Sequence, residues 1–231
     1  MDAIQPSSIN EIVMSQDGST TLYSHRFNDS YHSVNGAIDE ANLVYIKNGF
    51  ENAINTFKND INVFELGFGT GLNALLTILT AKEKEIKIHY ESIEAYPIEP
   101  TEIEKLNYSE RIQHDFSDEV FKKIHQTEWN VETELINDIH FIKRNIRLED
   151  MPMLKPIYHL VYYDAFGPSK QAEMWAEERI EKIANGIVKN GIFVTYSTCG
   201  ELKRTLRNLN FQIEKLPGPK GKREVLKATK Q

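Results

Sequence analysis

Three groups of residues in this 231-residue chain are of the types and spacings that do chemistry. The first is Glu65-Leu66-Gly67-Phe68-Gly69-Thr70-Gly71. Three glycines at alternate positions let a backbone close on a ligand where any side chain would stand in the way. The spacing is Gly-x-Gly-x-Gly, not the Gly-x-Gly-x-x-Gly of nicotinamide and flavin binders. Glu65, two residues before the first glycine, would repel a pyrophosphate, whereas a ligand presenting positive charge and no phosphate is favoured there. The second group is one residue, Glu94, an acid closing an apolar run, where a carboxylate can accept hydrogen bonds from both hydroxyls of a ribose. The third is Asp164-Ala165-Phe166-Gly167-Pro168-Ser169-Lys170. A carboxylate such as Asp164 can accept the N–H bonds of an amine, aim its lone pair and take up its proton. Phe166 offers a face to a base, and Pro168 stiffens the loop. Each has a plainer reading: a surface acid for Glu94, a cap for Asp164, a core aromatic for Phe166.

The elements that must position these groups alternate between strand and helix. Ile61–Leu66 reads as a strand and Leu72–Lys82 as a helix with Leu72, Leu75, Leu76 and Leu79 on one face. Ile86–Glu94 follows as a strand and Pro97–Leu106 as a helix opened by proline. Then come a helix at Glu119–Gln126, an extra strand at Val131–Ile136, and strands at Ile139–Lys143 and Tyr158–Asp164. Glu173–Ala184 is a helix, Gly191–Ser197 a strand and Glu201–Leu209 a helix, and Phe211–Lys215 with Glu224–Ala228 forms a closing hairpin. Such alternation predicts a largely parallel sheet with helices on both faces. Ligands of such sheets bind beyond the strands' C-terminal ends, at the first helix N-terminus. The glycine loop, Glu94 and Asp164 all fall at that edge. Strand, Glu-x-Gly-x-Gly-x-Gly, helix, strand and Glu in succession predict an α/β, Rossmann-like class I S-adenosylmethionine-dependent methyltransferase fold, with a mostly parallel seven-stranded sheet and an antiparallel terminal hairpin. S-adenosyl-L-methionine, with its ammonium and sulfonium, is the expected cofactor, and its adenine is expected near Asn145, after the third strand. Residues 1–60 read as an N-terminal extension packed on a domain spanning 61–231. In it, 11–24 is a hairpin turned at Asp17-Gly18, and a helix runs from Ala37 to about Lys47, ended by Asn48-Gly49.

Composition narrows the setting. Cys199 is the only cysteine, so there is no intrachain disulfide and no cysteine zinc site. The seven histidines lack zinc-site spacing, and no metal is expected. No basic start with an apolar run opens the chain, and no stretch approaches the ~18 apolar residues of a membrane span. A cytoplasmic protein is the expectation. Net charge is −7, but from Gly200 onward nine basic residues (Lys203, Arg204, Arg207, Lys215, Lys220, Lys222, Arg223, Lys227, Lys230) stand against three acids. That end carries +6 and the remainder −13. A basic face for phosphates and a solvated terminal helix and strand both produce such asymmetry.

Four runs resemble a known family. They are Tyr31-His32-Ser33-Val34-Asn35-Gly36; Phe64 through Asn73; Tyr163 through Lys170 continuing to Met174-Trp175; and Gly218-Pro219-Lys220-Gly221-Lys222-Arg223-Glu224. In this order they resemble the methyltransferase domain of the MnmC family of bacterial tRNA 5-methylaminomethyl-2-thiouridine modification proteins, over nearly the whole chain. The resemblance implies methylation of the primary amine of 5-aminomethyl-2-thiouridine at the tRNA wobble position. It places Glu65, Gly67, Gly69, Gly71, Asn73 and Glu94 on the cofactor site, and Asp164 and Phe166 on the acceptor site. Asn145 stands where the family has an acid. Tyr31, Pro168, Lys170, Lys220, Lys222 and Arg223 are the expected substrate contacts, with the anticodon loop of tRNA meeting the basic C-terminal region. With no flavin oxidase half in the sequence, the standalone form is the expectation. Competing readings share the glycine loop: an aminopropyltransferase, which wants more acids than the Asp164 loop supplies, or another class I methyltransferase acting on a small molecule, and a non-catalytic module that only binds S-adenosylmethionine.

Overall fold

The computed structural model describes residues 10–231. An eight-stranded sheet carries the fold, flanked by a small three-stranded sheet of β1 (Asn10–Met14), β2 (Thr20–Ser24) and β3 (Asp29–Ser30). β1 and β2 pair antiparallel around Asp17-Gly18, with Gly18 at φ +79. Next, α1 (Ala37–Ala41) runs through a π-helical stretch (Asn42–Phe50) into α2 (Glu51–Phe57). Gly36 precedes α1 and offers no capping side chain, so Asp17 takes that part from the hairpin: its Oδ2 accepts the amides of Ile38 (3.0 Å) and Asp39 (3.2 Å).

The helix expected to stop at Asn48-Gly49 does not stop. Gly49 instead lets the helix lie close on the sheet, since a Cβ there would sit 3.1 Å from both Tyr162 and Val194. The chain leaves the helix only at Lys58, at φ +70.

The main sheet is built from β4 (Ile61–Leu66), β5 (Ile88–Glu94), β6 (Thr133–Ile136), β7 (Ile139–Asn145), β8 (Tyr158–Tyr163), β9 (Ile187–Thr195), β10 (Phe211–Pro217) and β11 (Glu224–Lys230). Their order is β10-β11-β9-β8-β4-β5-β7-β6, with β9, β8, β4, β5 and β7 parallel and β6, β10 and β11 antiparallel to their neighbours. The sheet thus has eight strands where seven were expected, because the extra strand β6 joins its edge instead of standing apart. Helices α3 (Leu72–Glu83), α4 (Pro100–Ile103), α5 (Tyr108–Arg111), α6 (Ser117–Gln126), α7 (Glu177–Ala184) and α8 (Gly200–Asn208) complete the chain.

Three further boundaries differ from expectation. Proline opens α4 at Pro100, not Pro97. The expected helix over Glu173–Ala184 divides into a 3-10 turn at Ala172–Trp175 and α7, with Ala176 extended between them. β9 starts at Ile187, ahead of a register shift against β8.

Side-chain alternation along the central strands divides the core in two. Leu160 and Tyr162 of β8 join Val63, Tyr90 and Val194 beneath α3, the π-helical stretch and α6. Val161 and Tyr163 join Phe64, Ile93 and Phe193 beneath α7 and α8. Helix α3 is buried nearly all round, because helices cover it as well as the sheet. The parallel order brings the C-terminal ends of β4, β5 and β8 side by side, and these ends carry Gly67, Glu94 and Asp164. No helix among the described residues is long and apolar enough to cross a membrane. The N-terminal residues read for a leader, apart from Asn10, lie outside the described residues.

Candidate active site

A cavity of about 570 Å³ opens above the ends of β4, β5 and β8 and is roofed by residues around β3. Its floor is the glycine loop. A Cβ on Gly67 would come within 2.7 Å of the Asp164 carbonyl, and Gly67 holds φ +92, so two independent demands require glycine there. Gly69 donates its amide to Glu94 Oε2 at 3.0 Å, and Tyr96 donates its amide to Oε1 at 2.9 Å. Glu94 is thereby fixed at the rim with lone pairs left for a ligand. Burial pushes its carboxyl upward while these amides pull it back.

Asp164 follows β8 and is held from two sides. Tyr45, in the π-helical stretch, donates its hydroxyl to Oδ1 at 2.5 Å, and Asn73, in the first turn of α3, donates to Oδ2 at 2.8 Å. Burial raises the Asp164 carboxyl to about 6, against the lowering effect of these two donors. The result is a carboxylate aimed into the cavity that can exchange a proton near neutral pH.

The aromatic side of the cavity is assembled from distant segments. Phe166 stacks on Phe27 at 4.3 Å, and Tyr31 meets Phe166 edge-on at 5.1 Å. The Asp164–Lys170 loop is pinned from behind: Trp175 Nε1 donates to the Phe166 carbonyl at 2.7 Å, and the Tyr196 hydroxyl to that of Ala165 at 2.8 Å. His32 bonds Thr70, fastening the N-terminal segment to the glycine loop, and Tyr108 of α5 bonds the same hydroxyl.

Of the expected site residues, Gly67, Gly69, Asn73, Glu94, Asp164, Phe166, Tyr31 and Lys222 line this cavity. The others do not. Glu65 is fully buried on the α3 side of β4, bonded to Ser92 at 2.7 Å, and burial raises its carboxyl to about 8. Gly71, at φ +75, caps α3 and faces His125. Asn145 is exposed, and the cavity wall there is Ile146, Arg147 and Leu148. Pro168 faces a separate shallow hollow, and Lys170 spans to the Asn28 carbonyl. Lys220 and Arg223 are exposed on the β10–β11 turn. Lys222 pairs with buried Glu40 and lies 4.1 Å over the Tyr196 ring, inside the cavity instead of on the outer basic face. Lys215 and Lys227 are paired with Glu224 and Glu214.

Sequence reasoning does not reach Tyr45, Phe27, Glu40 or Tyr196. Tyr45 lies in an unbroken apolar run and touches Asp164 only across 119 positions, so no local signal marks it. The acids are also more numerous than the Asp164 loop suggests: Asp29, Glu40, Glu94, Glu149, Asp164 and Glu173 line the cavity against Arg147 and Lys222.

A family model described as S-adenosyl-L-methionine-dependent methyltransferase matches residues 107–231, more than half of the chain. The chain belongs to this methyltransferase family. S-adenosyl-L-methionine is therefore its cofactor. The methyltransferase is 27% identical over 219 residues to the tRNA 5-methylaminomethyl-2-thiouridine biosynthesis bifunctional protein MnmC of Burkholderia multivorans, covering 89% of this chain and 33% of that protein. It is 29% identical over 220 residues to the protein of the same name from Campylobacter jejuni subsp. doylei, covering 90% and 34%. The chain thus spans about a third of the length of the curated relatives it matches. Among solved structures, MnmC2 from Aquifex aeolicus superposes with a TM-score of 0.79 at 22% identity, over 96% of this chain and 71% of that one, a likeness of fold.

Proposed function

We propose that this methyltransferase transfers the methyl group to the primary amine of 5-aminomethyluridine or its 2-thio form at the wobble position of tRNA. The observation that carries the reading is Asp164, a carboxylate held by Tyr45 and Asn73 at the end of β8 and facing an aromatic-lined cavity. The named relatives support the same substrate. Gly67, Gly69 and Glu94 fit the donor: the loop gives it close backbone approach, and the Glu94 carboxylate suits a ribose diol. Bound S-adenosylmethionine supplies an electrophilic methyl carbon.

The chain's own residues do the rest. Six carboxylates draw in an acceptor that arrives as an ammonium ion. Asp164 takes one proton from that ammonium, leaving a neutral amine whose lone pair it turns toward the methyl, ~3–3.5 Å away; as the new N–C bond forms and the bond from sulfur to the methyl breaks, the positive charge passes to the product amine. Phe166, Phe27 and Tyr31 offer faces for the base. Exposed Arg204, Arg207, Lys220 and Arg223 serve tRNA phosphates, and such a substrate places the reaction in the cytoplasm.

The acid-rich lining would also suit a polyamine, which keeps the aminopropyl alternative chemically sensible; a module that only binds donor would leave Asp164 without work. Labelled donor incubated with tRNA carrying the 5-aminomethyl group separates the proposal from both alternatives. Label in the 5-methylaminomethyl nucleoside supports the proposal. Donor bound with no label in tRNA rejects it.

A further inference from the structure

At the end of the sheet opposite the cavity, β5 and β7 run in a parallel register that sets His89 beside His140. Their imidazoles stack with centroids 4.7 Å apart and planes 7° from parallel. A neutral imidazole offers a ring-nitrogen lone pair to a metal ion. Glu132, just before β6, brings Oε1 to 3.9 Å from His89 Nδ1. One ligand atom from each of His89, Glu132 and His140 lies within 4.8 Å of the others, and no other such trio occurs among the described residues. The second nitrogen of His89 is also engaged. Asp60 Oδ1 lies 3.5 Å from Nε2, and Lys87 holds the other Asp60 oxygen at 3.3 Å. An imidazole with one nitrogen toward a carboxylate and the other toward further donors is the arrangement in which outer carboxylates orient metal-bound histidines.

We propose that His89, Glu132 and His140 form a divalent transition-metal site, with Asp60 orienting His89. Two imidazoles and a carboxylate suit zinc, whose bonds to them are about 2.0–2.2 Å long. Glu132 is exposed and both histidines are partly exposed, so the trio is open to an ion from solvent. Linear spacing hides the site, because its ligands come from neighbouring parallel strands and an edge loop. His89 is the second residue of β5 and Glu94 the last, so the site stands roughly 17 Å from the donor rim. Its work is mechanical: a bound ion ties β5 and β7 to the loop leading into β6, the edge strand whose pairing with β7 contains a register shift.

Zinc alone, titrated calorimetrically into the untagged, chelator-treated protein, tests this. We expect one ion per chain, a higher melting temperature with zinc, and methyl transfer that does not depend on it. His89→Ala and His140→Ala should each weaken binding by about tenfold or more and abolish the thermal shift. Asp60→Asn should weaken it by about tenfold, as loss of an outer-shell partner does. Cobalt in place of zinc should give a four-coordinate visible spectrum that these variants lose. Glu132→Gln, at an exposed position, serves should a histidine variant not fold. No binding by the parent, or binding that survives both His140→Ala and Glu132→Gln, overturns the proposal.

Discussion

The Tyr45 hydroxyl lies 2.5 Å from Oδ1 of Asp164 and joins the helical N-terminal segment to the end of β8. It is one of two donors that oppose the rise burial imposes on that carboxyl, which stands at about 6. Tyr45→Phe removes the donor and keeps the ring, so the carboxyl should rise further. The acid limb of the kcat/KM profile should move to higher pH, with turnover recovering above it. A limb in the parent's place would separate Tyr45 from the titration.

Asp164→Asn keeps the shape and one acceptor but loses the charge. Turnover should fall by ~10²-fold or more, the scale of a general base, while donor affinity changes little. Residual activity should climb with pH more steeply than the parent's, since solvent must then take the amine proton. Full turnover at neutral pH would refute the role, and a defect confined to donor binding would make Asp164 a cofactor ligand.

On the donor side, Glu94→Ala should weaken S-adenosylmethionine binding by ~1.5–3 kcal/mol, the worth of hydrogen bonds to a charged group. Calorimetry is the measurement, and unchanged affinity would remove Glu94 from the site.

Glu65 leads to a stability prediction. Its folded carboxyl stands near 8 against an ordinary 4.5, so between those pH values the folded state binds more protons than the unfolded state. Stability must then decline as pH rises through that window, by at most about 1.4 kcal/mol per pH unit for one proton. Glu65→Gln should flatten the decline and leave the variant relatively more stable at pH 8 and above. Denaturant titrations from pH 5 to 9 decide it; parallel curves for parent and variant would count against a buried neutral acid.

If tRNA phosphates meet the exposed cations, tRNA affinity should fall steeply with salt. Neutralising Arg207, Lys220 and Arg223 together should reduce the log–log slope by roughly 0.7–0.9 for each phosphate that no longer meets a cation, and for all tRNAs alike. Lys222 is left out because it is paired with Glu40 inside the cavity. An unchanged slope would move the tRNA-binding surface elsewhere.

The side of the cavity proposed for the donor is legible in the sequence because it is local: Gly67 and Gly69 follow one strand and Glu94 closes the next, and strand–helix alternation sets their edge. The same locality misleads at Glu65 and Gly71, where motif membership implies ligand contact but strand alternation and helix capping turn the residues away. Gly49 reads as a helix stop in isolation, and only the sheet beneath it explains why the helix continues. Lys222 looks like one more member of a basic tail, since nothing nearby in the chain announces Glu40 across 182 positions. On the proposed acceptor side Asp164, Phe166 and Tyr31 can be picked out from the chain, whereas Tyr45, Phe27, Glu40 and Tyr196 reach it only through tertiary packing and are illegible for that reason.

The roof of the cavity, Phe27, Tyr31 and Glu40, precedes the first strand of the main sheet, whereas the floor proposed for the donor is carried by β4, β5 and the loop between β4 and α3. On the proposed function, part of the acceptor surface is thus encoded apart from the donor floor, while Asp164 and Phe166 come from the chain after β8. On that reading, changes between residues 27 and 40 reshape the acceptor side while the donor floor stays as it is, so divergence in acceptor choice is free to accumulate in the N-terminal segment first.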